Sequence, residues 1–90
     1  MSQSGGAQFT PGPWVINANG DINSEQGAIC WLPSGIHNKH NNATLIAAAP
    51  VMYAALQATL AYFLRSRQSH APEVRAIQTA LAQAEGRHHE

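Results

Sequence analysis

Residues 42–64 read NATLIAAAPVMYAALQATLAYFL. The stretch contains no charged residue and is interrupted once, by Pro50. A proline lacks the backbone donor that a helix interior needs and restricts the residue before it. The spacing therefore predicts two helices, a short one over 43–48 and a longer one that Pro50 opens as its first residue. Asn41 or Asn42 would cap the first. In the second, Met52, Leu56, Leu60 and Phe63 recur three and four residues apart, with Tyr53 and Leu64 beside them. Arg65 and Arg67 suit its C-terminal end, where the helix dipole favours cations.

Downstream, Ser69 to Ala71 reads as a turn. Pro72 opens a last helix, Glu73 sits in its favourable first turn, and Gly86 stops it. Val74, Ile77, Leu81 and Ala84 form its apolar stripe. Two helices joined by so short a turn fold back as an antiparallel hairpin.

Upstream the pattern changes. Pro13-Trp14-Val15-Ile16-Asn17 and Ala28-Ile29-Cys30-Trp31-Leu32 favour strand, and Ile22 begins another. Asn19-Gly20-Asp21 and Ser24 to Gly27 supply turn residues between them, and Pro33-Ser34-Gly35 ends the third strand. The fold class expected is α+β, with a small antiparallel β-sheet of about three short strands packed on the C-terminal helical hairpin. The expected core is Trp14, Ile16, Ile29, Trp31, Leu45, Met52, Leu56, Leu60, Ile77 and Leu81. Residues 1–8 are polar and Gly-rich and read as a disordered leader, residues 9–86 as a single domain, and residues 87–90 as a frayed tail.

Ninety residues leave no room for a second core. Charged residues make up 11% of the chain, against about 25% in an ordinary domain, and the formal net charge is zero. Nucleic acid and anionic lipid are gripped by basic faces, whereas Lys39, Arg65, Arg67, Arg75 and Arg87 are scattered. A nucleic-acid partner is not expected. Low net charge does favour self-association, and the face of the longer helix carrying Ala54, Ala58, Ala61 and Tyr62 would be the seam of a homodimer. No stretch reads as a signal peptide or membrane span, so the expected location is the cytoplasm.

Two segments carry a family likeness. Thr10-Pro11-Gly12-Pro13-Trp14, followed after a short β segment by Asn42-Ala43-Thr44-Leu45-Ile46-Ala47-Ala48-Ala49-Pro50, resembles a group of small proteins encoded by tailed phages and prophages. Their marks are a TPGPW-type start and an NA-x-LIAAAP stretch ahead of a Leu/Ala-rich helix. The resemblance spans roughly residues 9–64 and implies a phage accessory protein, with no activity or site residues attached to it. Val51-Met52-Tyr53 departs from the acidic-Leu-Leu more common after the proline.

Candidate chemistry is sparse. His37-x-x-His40 is the best pair for a metal, with His70, His88 and His89 as distant company. Zinc sites want two well-spaced pairs held on defined elements, so a solvated connector is the reading for His37 to Asn42. Cys30, between Ile29 and Trp31, sits as an inert buried thiol would. Asp21 and Glu25 fall in turns, which do not shield a carboxylate for acid–base work. No nucleophile elbow or phosphate loop is present. The expectation is therefore no catalytic residue, no cofactor and no metal.

What remains is a protein-binding module acting on a host or phage protein, in one form as an inhibitor of a host defence system. Tyr53 and Tyr62 would be its anchors and His37, Asn38 and His40 its polar rim. The alternatives are a nucleic-acid accessory protein, with Trp14 and Trp31 stacking on bases, and a small enzyme.

Overall fold

The computed structural model describes residues 9–86. The expected leader and tail, with His88 and His89, lie outside the described residues. In chain order the elements are β1 (Val15–Ile16), β2 (Ile22–Ser24), β3 (Gly27–Cys30), α1 (Lys39–Ala47), α2 (Ala49–Arg65) and α3 (Pro72–Ala84). The architecture is α+β, with a three-stranded antiparallel sheet in the order β1-β2-β3. The chain groups into two compact units, one of residues Thr10–Met52 and one in which Phe9 joins the residues from Tyr53 onward.

In the first unit each turn is held by its own side chains. Asn17 Oδ1 accepts the backbone N–H groups of Asn19 (2.8 Å) and Asp21 (3.1 Å), and Gly20 takes a φ of 86°. Such an Asx turn needs no help from the strands to close. Lys39 then clamps it. Its stem crosses Gly20 and its Nζ donates to the Asn19 carbonyl at 3.2 Å. At the second turn, Gln26 N–H donates to Ser24 Oγ at 2.9 Å, and Gly27 has a φ of 124°. Cys30 pairs with Ile22 and Ala28 with Asn23, so Ile29 is the extra residue of a bulge.

The sheet's partner within this unit is α1, which packs on β1 and β2. Ile22 and Ala43 are its fully buried side chains, both at 0% exposure. Two core expectations are overturned here. Trp31 is 77% exposed. The strand ends at Cys30, and the Leu32 N–H goes to Asp21 Oδ1 at 3.3 Å instead of a ladder partner. The alternation that would have turned Trp31 inward therefore stops short of it. Leu45 is 62% exposed because Ala43 takes the inward position, and two residues on a helix lie about 200° apart. Trp14, Ile16 and Ile29 are half-buried. The Trp14 indole N–H donates to the Thr10 carbonyl at 3.1 Å.

Helix α1 also starts earlier than expected. It begins at Lys39 after Asn38, whose φ of 61° turns the chain into the helix without a side-chain cap. Thr44 Oγ1 donates back to the His40 carbonyl at 3.0 Å. The break falls at Ala48, and Pro50 is the second residue of α2. Met52 N–H still reaches the Ala48 carbonyl at 3.0 Å, so the turn containing Pro50 stays helical.

The second unit is the helical hairpin. Tyr53, Ile77 and Leu81 form its core, with Leu56, Leu60 and Phe63 partly buried against them. Val74 and Ala82 are also buried. The Phe9 ring meets Tyr53 edge-on, with centroids 4.9 Å apart. The Tyr53 hydroxyl, near the start of α2, donates to Glu85 Oε2 at the end of α3, so the two helices run antiparallel. Met52 is 42% exposed, since Tyr53 takes the inward place assigned to it. Ala84 is exposed and Ala82 stands in its place on α3.

Helix α2 closes with Gln68 N–H on the Phe63 carbonyl (2.9 Å) and Arg67 at a φ of 61°. That is a Schellman-type end with arginine where glycine is usual. Glycine does appear at the other end of the hairpin. Gly86 follows α3 with a φ of 78°, as its place in the sequence implied.

Candidate partner surface

The residues singled out for partner binding do not share one setting. His37, Asn38 and His40 are exposed and lie in the Thr10–Met52 unit. His37 and Asn38 precede α1, and His40 is its second residue, so a helix holds part of what reads as a loose connector. Tyr62, in the other unit, is 55% exposed, with its ring 6.0 Å from that of Phe63.

Tyr53 does not stand on the surface. It is 9% exposed, at the centre of the hairpin core, with its hydroxyl on Glu85. An anchor for a partner must present its ring to solvent, and this ring is spent on holding α2 to α3. The expectation for Tyr53 is overturned.

Sequence reasoning placed Trp31 in the core and gave it a surface role only in the nucleic-acid alternative. Its indole is the most exposed of the large apolar side chains among the described residues. The available signal was Pro33, two residues on, which cannot donate to a ladder and marks where strand pairing must stop. Val15 at 54%, Leu45 at 62% and Val51 at 70% are strongly exposed aliphatics of the Thr10–Met52 unit.

Around these side chains the polar groups are open to water. Among the described residues no charged or polar side chain is buried, and no three His, Cys, Asp or Glu side chains group as metal ligands would. Cys30 is half-buried at the end of β3 rather than enclosed within a strand. A concavity of about 410 Å³ lies where the turn enters α3, lined by Ser69, His70, Pro72, Arg75 and Gln78. No single helix among the described residues is long and apolar enough to cross a membrane, and only α1 and α2 taken together reach that measure.

The exposed side chains thus include aromatic and aliphatic ones, on a chain of zero formal net charge. Over residues 1–88 it matches the family described as Salmonella phage P22 protein Y8K6. The chain belongs to that family. No curated protein and no solved structure matches it.

In this member of the family the two motifs meet in space. Gly12, the centre of Thr10-Pro11-Gly12-Pro13-Trp14, lies against Pro50, the last residue of the second motif. A Cβ added at Gly12 would stand 2.8 Å from the Pro50 Cβ. The proline ring is rigid and anchored in α2, so it has little freedom to move aside. Gly12→Ala should therefore destabilise the protein by about 1–3 kcal/mol, the usual cost of overpacking. Denaturant titration would read this as a lower midpoint at unchanged slope. A variant as stable as the parent would show that the two motifs do not depend on close contact.

Proposed function

We propose that this phage protein is non-enzymatic and acts in the host cytoplasm by binding another protein, of the host or of the phage. In one form of this reading the target belongs to a host defence system. The observation that carries the reading is the exposure of Trp31 and Tyr62, at 77% and 55%, on a chain of zero formal net charge. Tryptophan and tyrosine are the residues on which binding energy most often concentrates, because each contributes a large rigid area and one polar tip. Leaving them exposed on a small domain wastes apolar burial unless something covers them. His37, Asn38 and His40, polar side chains in the same unit as Trp31, suit the polar rim of such a patch.

The test uses a partner captured by the tagged full chain and then purified. Trp31→Ser or Tyr62→Ala should weaken its binding about 30-fold or more, since losing a hot spot costs at least about 2 kcal/mol. The melting temperature should hold, because both side chains are largely exposed. Parental affinity in both variants would sink the reading. Retention of nucleic acid through a salt wash would favour the accessory role in which Trp31 stacks on bases. Turnover of a substrate would favour an enzyme.

The same reading includes a homodimer, supported by α2. Between Ala49 and Leu64 this helix carries no charge, and Tyr53, Leu56, Leu60 and Phe63 already face the hairpin core. Ala54, Ala58, Ala61 and Tyr62 are exposed and fall on the opposite side of the wheel. A helix apolar on both sides is normally covered on both, and a self-complementary two-fold contact is the commonest cover. Light scattering at high micromolar concentration should report twice the chain mass, and Ala58→Glu should halve it without loss of helix content. A monomer at that concentration would remove the dimer from the reading.

A further inference from the structure

We draw no further inference here: the strongest candidate, the exposed Trp31 indole beside the open edge of β3, is an unpartnered apolar patch, and nothing in the structure shows what covers it.

Discussion

Leu81→Ala is expected to lower the unfolding free energy by about 2–5 kcal/mol, a large part of what a domain of this size possesses. Leu81 is 6% exposed and belongs to the central cluster with Tyr53 and Ile77. Truncation removes the transfer energy of its lost carbons and leaves a cavity between two helices. Those helices are tied at one end by the Tyr53–Glu85 hydrogen bond, which limits how far they can collapse into the gap. Thermal melting followed by far-ultraviolet ellipticity would read the effect, at roughly 4–8 °C per kcal/mol for a chain of this length. Leu60 lies on the same interface but is only partly buried, so Leu60→Ala should cost less. Equal losses at the two positions would mean that the hairpin buries a different stripe of α2.

Ile22→Ala carries an expected loss of similar size in the other unit. Ile22 has no exposed surface and is the largest fully buried side chain among the described residues. It pairs with Ile16 on one side and Cys30 on the other, in the central strand of the sheet that α1 covers. No neighbouring strand can shift to fill the space without losing its own register. About 2–5 kcal/mol is the expected cost. Both tryptophans, Trp14 and Trp31, belong to the Thr10–Met52 unit, so their fluorescence reports on this unit while ellipticity is dominated by the helices. The fluorescence midpoint of Ile22→Ala should fall well below that of the parent. A parental midpoint would show that Ile22 does not organise the sheet.

Whether the two losses appear in one transition or two is itself informative. A single cooperative unfolding would shift both signals together in each variant. Separate transitions would assign Leu81 to the ellipticity signal and Ile22 to the fluorescence signal.

The succession of sheet and helices was legible in the sequence, because it rests on local chemistry. Prolines at 50 and 72 start helices wherever the rest of the chain lies, since their rings preset φ and lack a donor. Gly20, Gly27 and Gly86 mark turns and a helix end because few other residues accept a positive φ. Zero net charge and scattered cations were equally plain, as was the likeness to small phage-encoded proteins. Direction was harder to read. Met52 and Tyr53 both fit a three- and four-residue spacing with Leu56, Leu60 and Phe63, since a period of 3.6 tolerates a shift of one residue. Only packing against Ile77 and Leu81 turned Tyr53 inward and left Met52 outside. The same ambiguity separated Ala82 from Ala84 and Ala43 from Leu45.

Of the candidate surface, Tyr62 and the polar residues His37, Asn38 and His40 were visible as types suited to a partner, and the structure leaves them exposed. Trp31 was not, because strand propensity ran on through Leu32 while the strand itself stops at Cys30. A hydrogen bond from Leu32 to Asp21, eleven positions earlier, ends it there, and no local pattern announces a contact of that span. The meeting of Gly12 with Pro50 is of the same kind. The sequence by itself determined which segments pair, coil or turn, because backbone chemistry is local. Tertiary structure alone decided which apolar side chains face inward, because that depends on what the rest of the chain brings against them.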